Sequence, residues 1–324
     1  MILLDDVRTE GPVRLVLVVG VGLTGSAVVR RLEGSGGWRR EVLPLDWDDV
    51  ALQGRQLASA ARGIDERLAA APAAALERAP RIAVLWSAGT AGFAATEADV
   101  ARELASFRRV LEMSLRLAER HPGARVTFGM MSSAGGLFEG QRVVSAGSVP
   151  SPRRAYGELK LAQEAMADEL GQRLVRRIYR LTSVYGSIGA SHRRGLIPTL
   201  ILNGIGQCVT SITGSFATLR DYVWVDDVAA HVARDLTSAP ATSSRCVLAS
   251  SKPSSIFEIR HLIERVLGRQ LYLALAETSA NRADITFAHE TSPEGWRTSS
   301  LETCVRAIYR EALATGRGIA RGAA

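Results

Sequence analysis

Residues 15–25 run Leu15-Val16-Leu17-Val18-Val19-Gly20-Val21-Gly22-Leu23-Thr24-Gly25. Five apolar, mostly β-branched residues predict a strand buried on both faces. The glycines then predict a tight turn, and Ser26 to Leu32 follows with helical spacing. The turn fits G-x-G-x-x-G at Gly20, Gly22 and Gly25. Glycines there let the backbone approach a pyrophosphate closely, and the helix behind them aims free N–H groups and a positive dipole end at the phosphates. Gly20, Gly22, Leu23, Thr24 and Gly25 are therefore expected to bind a dinucleotide. Such a loop alone is weak evidence; its place between strand and helix strengthens it.

Outward from this turn, apolar strands alternate with helical stretches. Glu41–Leu45 predicts a second strand ending at Asp46, and Val50 to Arg78 predicts one or two helices broken near Gly63 and Pro72. Arg81–Trp86 is a third apolar run, followed by the small residues Ser87, Ala88 and Gly89, which would border the cofactor. Asp99 to Arg120 is a long amphipathic helix, Arg125–Met131 a strand leading into Ser132 and Ser133, Arg154 to Leu170 a helix, and Arg176–Leu181 a strand. This alternation implies α/β architecture with a doubly wound parallel sheet. The expected cofactor domain is 1–186 with further strand and helix from about 215–250. Residues 187–315 are expected mainly as a small C-terminal substrate lobe, with Ile256–Leu267 and Leu301–Ala314 helical and Leu271–Leu275 a strand. Residues 316–324 should fray.

Asp46 lies 21 residues after Gly25. A carboxylate there can accept both hydroxyls of an adenosine ribose and repels a 2′-phosphate, which favours NAD over NADP. Arg39 and Arg40 precede that strand and weigh the other way.

Tyr156 and Lys160 stand four apart in a helical stretch, which places them on one face about a turn apart. A phenol titrates near 10 in water and is a poor base at neutral pH. A neighbouring ammonium favours the phenolate, so Tyr156 can exchange a proton with an alcohol or ketone while its carbon exchanges hydride. Of 40 basic residues only Lys160 and Lys252 are lysine. A compact ammonium fits among ribose hydroxyls where a wide guanidinium would not.

With these pieces placed, the chain resembles the extended short-chain dehydrogenase/reductases, specifically the NAD-dependent epimerase/dehydratase group that includes UDP-glucose 4-epimerase. The resemblance runs from about Leu15 to about Arg310. It rests on VGVGLTG at 19–25, SSAGGLF at 132–138, YGELK at 156–160, YRLTSVYG at 179–186, GLIP at 195–198 and RDYVWVDDVA at 220–229. It implies a Rossmann-type fold with Tyr156 and Lys160 as the catalytic pair and Ser133 as the hydroxyl that bonds the reacting oxygen. It also implies Ser132, Leu181 and Thr182 near the cofactor, and Ser183, Leu196 and Arg220 as substrate contacts, Arg220 on a diphosphate. Phe138-Glu139 stands where the family has Tyr-Gly, and counting from there would put Ala134 in the hydroxyl's place. The two glycines Gly135-Gly136 favour Ser133. Ser183 replaces a common Asn, and residues 48–80 lack the family's third-strand signature.

Dehydratases and decarboxylases of the family carry carboxylates just after the catalytic Ser or Thr. Here those positions are Ala134, Gly135 and Gly136, so the resemblance implies bare hydride transfer. The expected activity is a nucleotide-sugar 4-epimerase. A ketosugar reductase or sugar dehydrogenase is the second reading, and a non-catalytic cofactor-sensing protein the third. The helices at 99–120 and 154–170 imply a homodimer.

Composition sets the remaining expectations. Hydrophobic residues make up 47% and charged residues 23%, with a net charge of +7. No basic run with interleaved aromatics points to nucleic acid. No apolar run approaches the ~20 residues that span a bilayer, and no signal-peptide pattern is present, so a cytoplasmic location is expected. Cys208, Cys246 and Cys304 are far apart and form no metal-binding spacing. Trp86, Trp224 and Trp296 are expected in the core. His192 beside Arg193 and Arg194 is expected in a solvated loop.

Overall fold

The computed structural model describes residues 1–8, 11–89, 96–186, 195–238, 240–276 and 283–316. In chain order the elements are β1 (Ile2–Asp6), β2 (Arg14–Val19), α1 (Leu23–Gly34), β3 (Trp38–Val42), α2 (Val50–Ala69), α3 (Ala73–Leu76), β4 (Arg81–Trp86) and α4 (Glu97–Arg120). Then follow β5 (Arg125–Ser133), α5 (Ala134–Leu137), α6 (Ala155–Asp168), β6 (Val175–Leu181), β7 (Ser183–Tyr185), α7 (Leu196–Ile205), β8 (Thr210–Thr213) and β9 (Tyr222–Trp224). The chain closes with α8 (Val225–Thr237), β10 (Ser244–Leu248), α9 (Ile256–Leu267), β11 (Leu273–Ala276) and α10 (Leu301–Ala314). His192 and its two arginines, and residues 317–324 of the tail, lie outside the described residues.

The chain divides into two compact units. The first comprises Met1–Leu137, Pro152–Arg180 and Ala229–Cys246; the second comprises Phe138–Ser151, Leu181–Val228 and Val247–Ala324.

The first unit is built on a seven-stranded sheet, ordered β10-β6-β5-β4-β2-β1-β3. The centre follows from composition. Leu15–Val19, Ile82–Trp86 and Val126–Met131 are all buried, as strands covered on both faces must be. β2, β4 and β5 run parallel, with Val18 level with Leu85 and Leu85 level with Gly129. Gly129 is bare because a Cβ there would meet Leu236 at 2.9 Å and Leu85 at 3.1 Å. On one face α2 and α4 supply Leu57, Ile64, Phe107, Val110 and Leu117 to the core. Thr96 and Asp99 form a capping box that starts α4, and Asp49 accepts from Leu52 N at the start of α2.

The outer side of the sheet departs from expectation. β1 lies between β2 and β3 and runs antiparallel to both, with Ile2 level with Val18 on one side and with Val42 on the other. The strand after α1 is Trp38–Val42, not Glu41–Leu45, and it does not neighbour β2. Leu43 and Leu45 instead leave the sheet and pack on the core as loop residues. The helix over 50–69 passes through Gly63 unbroken and ends before Pro72. The sheet is thus mostly parallel, with one antiparallel insertion.

In the second unit α7, α9 and α10 enclose Ile197, Leu200, Ile201, Ile259, Ile263, Val305 and Ile308. Two short parallel pairs, β8 with β11 and β7 with β9, complete it. α9 and α10 keep the boundaries their periodicity predicts, whereas the strand expected at Leu271 begins at Leu273. Among the described residues no helix is long and apolar enough to cross a membrane.

Candidate active site

The three loop glycines have three different reasons. Gly20 has φ +93°, and a Cβ there would lie 2.3 Å from Ala88 N. Gly25 would place a Cβ 2.1 Å from Gly20 O and 2.3 Å from Ser87 Oγ. Gly22, the residue before α1, has nothing within 4 Å of its Cβ direction. Two glycines therefore allow backbone against backbone, and the middle one leaves open space over a helix start. α1 has no side-chain cap and no acidic residue in its first turn, so its first N–H groups and dipole end are available to an anion. Ser87 Oγ donates to Gly20 O at 2.5 Å, and Ser87 N donates to Val19 O at 2.8 Å. These bonds fix the Ser87–Gly89 segment to the glycine turn.

Tyr156 and Lys160 both lie on α6, and the Lys160 ammonium sits 5.8 Å from the Tyr156 ring centroid. Tyr156 is half-buried and Lys160 is buried. The tyrosine ring is positioned by two further glycines. A Cβ at Gly136 would lie 3.1 Å from Tyr156 Cδ1, and a Cβ at Gly157 would lie 2.3 Å from Gly136 O. Only bare backbone lets α5 approach α6 this closely. Ser133 ends β5 immediately before α5: its Oγ accepts from Gly136 N at 3.0 Å, leaving the hydroxyl's own proton to donate elsewhere. The sequence thus brought Ser133, Gly136 and Tyr156 into one contact region of the first unit.

Lys160 donates to Gln163 Oε1 at 2.9 Å and to Glu103 Oε1 at 3.2 Å. Ser132 donates to Glu164 Oε1 at 2.6 Å. Glu164 is 2% exposed and also holds Arg180 at 2.7 Å and Arg245 at 3.0 Å. Glu103, Gln163 and Glu164 carry no mark in the sequence, because polar residues on a helix ordinarily face water. Removing Glu164 would strand Arg180 within a mostly buried cluster. Glu164→Ala is therefore expected to cost on the order of 3 kcal/mol in a denaturant melt, a loss that Ser132→Ala should not reproduce.

Asp46 is a loop residue, where the sequence reading puts it at the end of a strand. β1 separates β3 from β2, so β3 lies two strand spacings, roughly 10 Å, from the strand that feeds the glycine turn. The aspartate belongs to the loop that leads from β3 back into α2. Its Oδ1 accepts from Asp49 N at 2.7 Å and from Asp48 N at 2.9 Å. These two backbone donors, Asp49 first, hold the carboxyl below its ordinary range. Trp47, the next residue, meets the buried Trp86 edge-on with ring centroids 6.1 Å apart.

The remaining expected residues lie in the second unit. Leu181 and Thr182 are buried. Thr182 Oγ1 donates to Asp221 Oδ1 at 2.8 Å, and Ser183 N donates to Asp221 O at 2.9 Å. Ser250 donates to both Asp221 oxygens at 2.8 Å. Asp221, 2% exposed, is a further organising residue that the sequence did not single out. Leu196 is the first residue of α7, behind Gly195. Arg220 donates through Nη1 to the carbonyls of Leu219 and Ala283, which anchors its guanidinium at one corner.

Residues 16–244 match the family described as NAD dependent epimerase/dehydratase. The fold is similar to that of the UDP-glucose 4-epimerase of Thermus thermophilus, solved in complex with NAD. The TM-score is 0.71 at 18% identity, over 92% of this chain and 98% of that one. The UDP-glucose 4-epimerase of Thermotoga maritima, solved with UDP-glucose, gives 0.69 at 19% identity over 93% and 98%. The UDP-glucuronic acid 4-epimerase of Bacillus cereus, in complex with UDP-glucuronic acid and NAD, gives 0.68 at 18% identity over 93% and 99%. No curated relative matches the sequence.

Proposed function

The chain belongs to the NAD dependent epimerase/dehydratase family, and from that premise we propose that it is a nucleotide-sugar 4-epimerase using NAD, with Tyr156 as its proton-transferring group. The observation that carries this reading is the Tyr156–Lys160 pair on α6, held against Gly136.

The residues present fit the dinucleotide. The open space at Gly22 and the uncapped start of α1 suit a pyrophosphate. Backbone N–H groups of Gly22, Leu23, Thr24 and Gly25 would hold it, with Gly20 shaping the turn. Ser87, Ala88, Gly89 and Ser132 would border its nicotinamide half, with Leu181 and Thr182 assigned there by family resemblance. Asp46 keeps Oδ2 for a ribose hydroxyl, since both its backbone bonds fall on Oδ1. When bound, NAD supplies a reversible hydride acceptor.

The chain's own residues handle the proton. Tyr156 takes it from the sugar's 4-hydroxyl as a ketone forms, then returns it after the sugar has presented its other face. Lys160 lowers the cost of the phenolate between those events. Ser133 donates to the reacting oxygen. Ala134, Gly135 and Gly136 offer no second acid or base, which supports hydride transfer without elimination. Ser183, Leu196 and Arg220 are the proposed substrate contacts, Arg220 matching diphosphate oxygens with its fork. A homodimer through α4 and α6 belongs to the same proposal.

The test is direct. The purified protein is incubated with UDP-hexoses, the 4-epimer is followed by proton NMR, and NADH is followed by absorbance. Epimer should form without stoichiometric NADH. One NADH accumulating per sugar consumed would instead identify a dehydrogenase.

A further inference from the structure

Lys160 is not alone in its pocket. An ammonium has three donors, and two of them are committed. One goes to Gln163 Oε1 at 2.9 Å and one to Glu103 Oε1 at 3.2 Å. Gln163 Nε2 closes the triangle by donating to the same Glu103 oxygen at 3.0 Å. The side chains of Lys160 and Glu103 are 4% and 5% exposed, and Gln163 is fully buried. Gly89 forms one wall: a Cβ there would lie 3.5 Å from Glu103 Oε1 and 3.7 Å from the Lys160 ammonium.

Stability does not account for this arrangement. Taking two charges out of water costs about as much as their attraction returns, and well-packed apolar residues of similar volume commonly stabilise as well or better. The pair sits instead where its charge bears on the phenol one turn away. Nearby charges on the packed helices are engaged or exposed: Glu158 of α6 is exposed, Asp168 of α6 pairs with Arg245 at 2.6 Å, and Arg109 of α4 donates to Gln53 at 2.7 Å. Glu164 of α6 is held by Arg180 and Arg245. Asp99 and Arg102 sit on the exposed outer turn of α4. β4 and β5 carry their only charges, Arg81 and Arg125, at their opposite ends.

We propose that Glu103 is a positioning residue for Lys160, fixing with Gln163 two of the ammonium's donors so that the third is aimed, and offsetting part of the charge that Lys160 presents to Tyr156. α4 thereby sets how strongly the lysine favours the phenolate. The proposal rests on Tyr156 being the proton-transferring group, as argued above.

The experiment is an ultraviolet difference titration of the tyrosines in the full-length protein. Tyr156→Phe isolates the Tyr156 signal by subtraction. Glu103→Gln keeps the shape and removes the charge, so the Tyr156 phenolate should appear about one pH unit earlier. The acidic limb of kcat/KM should move the same way, with NAD affinity within about threefold of wild type, since an amide oxygen still accepts from Lys160. Gln163→Glu adds a charge at the other corner of the triangle. It should delay the phenolate by a similar amount, and it serves as the test if Glu103→Gln fails to fold. Glu103→Asp should restore the wild-type midpoint. Superimposable titrations for wild type, Glu103→Gln and Gln163→Glu would overturn the proposal while leaving Tyr156 in its role. Full activity in Tyr156→Phe would instead overturn the reading beneath it.

Discussion

Tyr156→Phe is expected to lower kcat about 10³-fold, the scale of a lost general acid–base group, while leaving the melting temperature and NAD affinity close to wild type. The change deletes one oxygen. The ring that packs over Gly136 and lies 5.8 Å from the Lys160 ammonium stays in place, so the helix contact survives. What disappears is the group that takes and returns the substrate proton. The effect should fall on kcat more than on KM, because the hydroxyl's interaction strengthens as charge develops on the reacting oxygen. A modest loss of under tenfold would mean that another group moves the proton. Ser133→Ala is the useful comparison, since Ser133 donates a hydrogen bond but need not lose its proton, and it should cost less.

The second large effect is at the glycine turn, where two glycines should both weaken NAD binding but only one should cost stability. Gly25→Ala places a methyl 2.1 Å from Gly20 O and 2.3 Å from Ser87 Oγ. Gly20 O is backbone and cannot rotate aside, so backbone must move, and the 2.5 Å bond between Ser87 and Gly20 breaks with it. A loss of roughly 3 kcal/mol in stability is expected from overpacking and the broken bond together, with NAD binding reduced at least about 100-fold as the loop geometry fails. Gly22→Ala meets nothing within 4 Å and has φ −75°, which any residue adopts. It should melt within about 1 kcal/mol of wild type, yet bind NAD roughly tenfold more weakly, because its methyl occupies the space a pyrophosphate would use. Calorimetry and a fluorescence titration on the two variants separate these outcomes. Equal NAD affinity in Gly22→Ala and wild type would argue against phosphate binding at this turn.

What the sequence made legible follows from how it encodes burial. The runs LVLVV, RIAVLW and RVTFGMM have no polar alternation, and they form the covered centre of the sheet. α9 and α10 combine a Ser cap with a clear apolar stripe, and both ends were readable. The Tyr156–Lys160 face and the three glycines were readable because their spacing alone fixes the geometry.

The outer sheet was not readable. β1 is three apolar residues followed by Asp5 and Asp6, a pattern too short and too charged to predict a strand. Its aspartates are matched by Arg39 at 2.7 Å and by Arg8 at 2.6 Å, partners a strand or a turn away. β3 is an edge strand, WRREV, exposed along most of its length. The more apolar EVLPL beside it drew the strand assignment, although its leucines pack as loop residues. Asp46 consequently lies in the loop after β3 instead of at a strand end. The absent third-strand signature in residues 48–80 has the same origin, since α2 and α3 occupy that stretch and β1 takes a place in the sheet. Glu103 and Asp221 were missed for another reason. Each is a charged residue among charged neighbours, and only the fold reveals that one is buried against Lys160 and the other against Thr182 and Ser250.

A crystal structure of the protein grown with NAD addresses the whole account at once. The dinucleotide's phosphates should rest on the backbone of residues 22–25, with the Tyr156 hydroxyl and the Lys160 ammonium both within hydrogen-bonding reach of the nicotinamide ribose. A dinucleotide bound elsewhere, or a Tyr156 hydroxyl turned to bulk water with the cofactor in place, would contradict it.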